Sequence, residues 1–231
     1  MKVDGRTRLV LWDIDHTLIE SRGVGREIYQ RVFPRVTGQA LRELATVHGR
    51  TELDIIHDTL RLHGIEPTGQ AVGDLANALA DGYRAAQDEL RERGRVLPGA
   101  REALQALTET PCVHQSVLTG NTTEVARIKL DTFGLTAYLD TSIGAYGDDH
   151  PDRAELVHIA RVRAADELGE VIAAHQVILI GDTPSDVEAA LTAGAQIIAV
   201  STGKFTVLDL QAAGAATVVS SLAEIPNPST F

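Results

Sequence analysis

The sequence predicts an α/β fold: a doubly wound, mostly parallel sheet with an all-helical unit inserted into it. Three observations lead there. Short Val-, Ile- or Leu-rich runs alternate with helical patterns along most of the chain, the signature of βαβ units. Residues 21–97 break that rhythm with apolar residues at helical spacing and no convincing strand. Leu97-Pro98-Gly99 then makes a turn-like return to the alternating pattern.

The elements follow in order. Residues 8–12, 114–118, 176–180 and 196–200 are brief apolar runs, each followed by polar residues or glycine, as buried parallel strands are. Residues 143–145 form a weaker run and 216–219 a last edge strand. Helices are expected at 100–108, 123–133, 153–168 and 184–193. Within the insert, Ile28 and Val32, Leu41 and Leu44, Ile56 and Leu60, and Leu75, Leu79 and Tyr83 mark helical faces. The chain therefore divides into a Rossmann-like core (1–20 and 98–231) and a helical insert (21–97), with a frayed tail from Ile225.

Composition narrows the function. The 231 residues suffice for one α/β domain with an insert. An aromatic content of 4% leaves little for stacking on single-stranded bases, and a net charge of -11 repels polyphosphate backbones. An acidic protein still accepts small phosphates where a bound cation reverses the local sign. The single cysteine, Cys112, excludes an intrachain disulfide and is read as a buried bystander before a strand. Residues 1–6 contain no signal-type apolar run, and no segment approaches membrane-spanning length. The expectation is a soluble, cytoplasmic protein with no membrane or nucleic-acid partner.

In an open α/β sheet, ligands bind beyond the carboxyl ends of the strands. Asp13 and Asp15 follow the first strand, Thr119-Gly120-Asn121 the second, and Asp182-Thr183-Pro184-Ser185-Asp186 the third. Two positions apart in extended backbone, Asp13 and Asp15 project to one side. Two close carboxylates repel unless a cation lies between them, and Mg²⁺ prefers hard oxygen ligands shared with substrate phosphate. One carboxylate could attack phosphorus, and the other could exchange a proton with the leaving oxygen and with water. Asp-Ile-Asp alone is explained as well by a plain turn. Asp186 at the third position of a helix is favourable for capping alone, with Thr183 as N-cap and Pro184 at N1. Asp182 precedes the cap and has no such explanation. Thr119 and the amides near Asn121 could cradle a phosphate oxygen.

Together, Asp13-Ile14-Asp15-His16-Thr17-Leu18, the Leu118-Thr119 strand end and Gly181-Asp182-Thr183-Pro184-Ser185-Asp186 resemble the haloacid dehalogenase superfamily. The insert looks like that superfamily's C1 cap, as in phosphoglycolate-phosphatase-like members. The resemblance implies Asp13 as nucleophile and Asp15 as general acid/base. It implies Mg²⁺ held by Asp13, Asp182 and the backbone carbonyl of Asp15, with Asp186 supporting the metal shell. Thr119, with Gly120 and Asn121, would bind the transferring phosphoryl group. The acid at Asp15 favours phosphatase or phosphomutase chemistry over dehalogenation.

Two departures stand out. His16 occupies a position where glycine is common and is read as a tolerated side chain at the turn. The family's third motif usually supplies a lysine, yet residues 146–153 contain none. Arg153 is the natural substitute, able to contact Asp13 and phosphate through its fork. Lys129 competes, but two turns into its helix it is expected to point away from the helix start. Arg50, in a loop before an insert helix, could meet an anionic substrate. The leading expectation is a Mg²⁺-dependent phosphatase of small phosphorylated metabolites. A phosphomutase of sugar phosphates and a non-enzymatic, receiver-like phospho-acceptor are the alternatives.

Overall fold

A computed structural model describes residues 7–225 of the chain. Five strands form one parallel sheet: β1 (Arg8–Trp12), β4 (Val113–Val117), β5 (Val177–Gly181), β6 (Gln196–Val200) and β7 (Thr217–Val219), in the spatial order β4-β1-β5-β6-β7. The order reverses at β1, so the chain passes to opposite sides of the sheet there. This places the ends of β1, β4 and β5 side by side.

Side-chain alternation along β1 explains why both faces are covered. Val10 and Trp12 enter one apolar cluster, with helices α5 (Ala100–Thr108) and α6 (Thr123–Thr132) and the insert. Leu9 and Leu11 enter the other, with α7 (Arg153–Leu168) and α8 (Pro184–Thr192). The insert contributes α1 (Val24–Thr37), α2 (Glu52–Leu62), α3 (Gly69–Ala85) and α4 (Gln87–Arg93). Its Ile28, Phe33, Leu75 and Leu79 are fully or almost fully buried in the same cluster as Trp12 and Val117. Burial of these apolar faces holds the insert against the sheet domain.

Several expectations need correction. Residues 143–145 form no strand: the segment's backbone bonds to β4 and its end fall at Asp140 N to Gln115 O and around Ala145, too few for a ladder. The expected strands 114–118 and 176–180 lie one residue off the observed β4 and β5. The helices expected to reach residues 133 and 193 stop one residue earlier, at their C-caps. The insert also contains a strand, β3 (Arg95–Val96), paired antiparallel with β2 (Ile19–Glu20). These two-residue strands, too short for a periodic signal, tie the insert's two connections together. Glu20 and Arg95 face each other at 2.8 Å across the pair.

Leu41 and Leu44 pack on the core from irregular backbone and not from a helix. There, side chains capture backbone amides: Arg42 N donates to His63 Nε2 at 2.9 Å and Ala45 N to Thr59 Oγ1 at 3.2 Å. A short helix, α9 (Val207–Ala212), was not anticipated. Cys112 is exposed, not buried: it sits in a turn at φ 62° ahead of β4, outside the strand's apolar shell. Among the described residues, no helix is long and apolar enough to cross a membrane. Residues 1–6 and the tail beyond Ile225 lie outside the described residues.

Candidate active site

At the carboxyl ends of β1, β4 and β5 lies a cavity of about 430 Å³, walled by the sheet domain below and the insert above. Asp13 continues β1, its amide bonded to Ile180 O at 2.9 Å. Asp182 directly follows β5, and both carboxylates are almost completely buried. Gly203 packs so tightly on Asp182 that a Cβ there would stand 1.9 Å from Oδ2. Any side chain there would have to displace the Asp182 carboxylate, a constraint no sequence pattern announced.

Burial dominates the electrostatics. It pushes the Asp13 carboxyl from 3.8 up to about 7, with Arg153 opposing and Asp186 and Asp15 adding to the rise. Asp182 is pushed further, to about 9, by burial and then by the charges of Asp13 and Asp186. One oxygen from each of Asp13, Asp182 and Asp186 lies within 4.8 Å of the others. The donor set is all carboxylate, which suits a hard divalent cation and relieves the repulsion of Asp13 and Asp182. Asp186 has less to offer directly. Its Oδ2 accepts from Thr183 N at 3.0 Å and Thr183 Oγ1 at 2.7 Å, and its Oδ1 accepts from Arg153. Thr183 and Asp186 thus form a reciprocal cap on α8, with Pro184 in the first turn. Asp186 is suited to shaping the cation site from behind.

Arg153 begins α7 and is nearly buried. Its Nη1 pairs with Asp186, its Nη2 lies 3.8 Å from Asp13 Oδ1, and its Nε is buried without a hydrogen-bond partner. A guanidinium with a free proton beside Asp13 is a receptor for anionic oxygen.

Lys129 corrects an expectation. It points into the site and not away from it, because its long stem runs back along α6. Nζ donates to Asp15 Oδ2 at 2.6 Å and to Asn121 Oδ1 at 2.7 Å. Burial raises the Asp15 carboxyl, but the charge and hydrogen bond of Lys129 outweigh it and hold the group below 3.8. Thr119 is fully buried and accepts Asn121 Nδ2 at 2.8 Å. Gly120 is the docking point of the insert: a Cβ there would lie 2.2 Å from Arg50 O, and Gly120 O accepts from Glu52 N at 2.6 Å.

Arg50 lines the cavity, but its Nη2 is engaged by Asp58 Oδ2 at 2.8 Å and Asp54 O at 3.3 Å. His16 adopts φ 61°, the conformation that makes glycine at home in this turn, and it also lines the cavity. His48 and Glu52, from the same segment as Arg50, line the cavity as well, and Tyr29, Tyr83 and Lys204 are among the lining residues not anticipated. Tyr29 and Glu52 form a buried pair, in which the hydroxyl donates to the carboxylate. On the sequence, Tyr83 read only as a core position of a helical face.

The comparisons agree with this architecture. The family model for haloacid dehalogenase-like hydrolases matches residues 7–194. No curated protein sequence matches the chain. Among solved structures, the chain is similar to CbbY from Rhodobacter sphaeroides in complex with phosphate (TM-score 0.73, 21% identity, 94% of this chain and 96% of that one). It is also similar to a predicted phosphatase from Clostridium acetobutylicum (0.70, 21%, 95% and 96%) and a predicted phosphoglycolate phosphatase from Haemophilus somnus 129PT (0.69, 17%, 95% and 96%). At such identities the structures speak for the fold. The family match spans most of the chain, from β1 through α8, and this protein belongs to the haloacid dehalogenase-like hydrolases.

Proposed function

We propose that the chain is a Mg²⁺-dependent phosphatase of small phosphorylated metabolites, acting through an aspartyl phosphate on Asp13, with residues 21–97 as its cap. The observation that carries this reading is the setting of Asp13. It lies buried between another buried acid, Asp182, and a guanidinium that retains an unpartnered N–H.

When bound by Asp13, Asp182 and the Asp15 carbonyl, Mg²⁺ would neutralise charge on the phosphoryl group and keep Asp13 ionised. The remaining work falls to side chains. Arg153, Thr119 and the amides around Gly120 and Asn121 orient the phosphoryl oxygens. Asp13 attacks phosphorus as the bond to the leaving oxygen breaks, and Asp15 gives that oxygen a proton. Asp15 then takes a proton from the water that cleaves the phosphoaspartate, releasing inorganic phosphate and restoring both acids. The cap excludes bulk water and supplies the surroundings of the leaving group, Arg50 among them.

Purified protein with Mg²⁺ is expected to release phosphate from p-nitrophenyl phosphate, and Asp13→Asn to abolish turnover. Undiminished activity in Asp13→Asn would sink the assignment. Return of the phosphoryl group to substrate without free phosphate would mark a mutase. A phosphate-release screen over sugar phosphates, phosphoglycolate and nucleotides would identify the substrate.

A further inference from the structure

Lys129 lies well inside α6 and is only 3% exposed. An ammonium in such a place is costly unless acceptors receive its protons, and a whole buried ion pair is often no better for stability than apolar residues of similar volume. What surrounds it is specific. Asp15, Asn121 and Lys129 form a closed triangle in which each side chain bonds the other two. Lys129 Nζ donates to Asp15 Oδ2 and Asn121 Oδ1, and Asn121 Nδ2 donates to the same Asp15 Oδ2 at 2.8 Å. The ring of Tyr83, from the insert, closes over Nζ with its centroid 5.0 Å away.

Both anchors fall on one oxygen of Asp15, which leaves Oδ1 for a reacting proton. Asp15 is also the less enclosed partner, its side chain 32% exposed against 4% for Lys129. A carboxylate at a cavity wall would otherwise sample several rotamers, and proton transfer needs one of them.

We propose that Lys129 is a positioning residue for Asp15, gripping the carboxylate by Oδ2 so that Oδ1 is presented to the leaving-group oxygen. The proposal rests on the phosphatase reading of Asp15, and its test separates the two. The full chain with Mg²⁺ is assayed on p-nitrophenyl phosphate, whose leaving group needs little protonation, and on phenyl phosphate, whose leaving group needs more.

In Lys129→Met, kcat/KM is expected to fall on the order of 10²-fold for phenyl phosphate and only a few-fold for the nitrophenyl ester. In an Asp15→Asn background, Lys129→Met should then add no further selectivity between the two esters, since it acts through Asp15. Equal losses on both esters, or an undiminished selective effect without Asp15, would overturn the proposal. If Lys129→Met does not fold, Lys129→Arg, which keeps the charge and moves the donors, is judged by the same ratio. Absence of Mg²⁺-dependent hydrolysis in the unaltered protein would sink the phosphatase reading instead.

Discussion

The two buried cations of this site are held by different parts of the molecule. Arg153 finds both its acids within the sheet domain: it stands at the start of α7 and reaches Asp186 in the first turn of α8 and Asp13 just beyond β1. Lys129 is enclosed jointly. Its acceptors, Asp15 and Asn121, belong to the sheet domain, but the wall that closes over it is Tyr83 of the insert. The pair around Arg153 is therefore built wherever the sheet is built, whereas the environment of Lys129 depends on how the insert is seated. A phosphate-binding cation suits the first arrangement. A group that must meet a varied leaving group suits the second.

The largest contrast is expected from removing each cation. Arg153→Met strands Asp186, which is fully buried, and should cost roughly 3–5 kcal/mol of stability. Turnover should also drop on the order of 10²- to 10³-fold. Lys129→Met strands Asp15, which water can reach, so about 1–3 kcal/mol is expected. Chemical denaturation of the two variants side by side checks the order; a greater loss for Lys129→Met would reverse the comparison.

A smaller effect should appear with pH. In the folded, metal-free state Asp13 and Asp182 keep protons up to about 7 and about 9, while the unfolded chain loses them near 3.8. The folded state thus binds more protons across that range, and its stability should fall as pH rises through it. On the proposed reading Mg²⁺ would take the place of those protons, so its stabilising effect should grow with pH and its binding should release protons. Melting curves with and without Mg²⁺ at about pH 5 and about pH 8.5 measure this. A Mg²⁺ effect larger at the acid end would contradict the placement of the cation. The smallest change is expected from Arg50→Ala. Its pair with Asp58 lies at the surface, where such pairs add little, so the variant should raise KM and leave stability almost unaltered.

Much of the site was legible because its residues follow strands. Asp13, Thr119 and Asp182 stand at the ends of apolar runs, and the sheet's topology brings such ends together. The Thr183–Asp186 cap is local, so spacing alone revealed it. Lys129 was misjudged because helical position indicates where a Cα lies and not where a long stem carries its charge. The β2–β3 pair escaped notice because strands of two residues have no period to detect. Residues around Leu41 lost their helix to side-chain acceptors that lie distant in sequence.

The sequence by itself determined the alternation of strands and helices, the place of the insert and the acids at strand ends, since each follows from local pattern and chain order. Arg153 beside Asp13 was already expected from the sequence; the rest of the pairing of cations with acids was decided by the tertiary structure alone. Arg153 went to Asp13 and Asp186, and Lys129 to Asp15, because burial makes an unpaired charge intolerable and only the packed fold shows which partners are within reach.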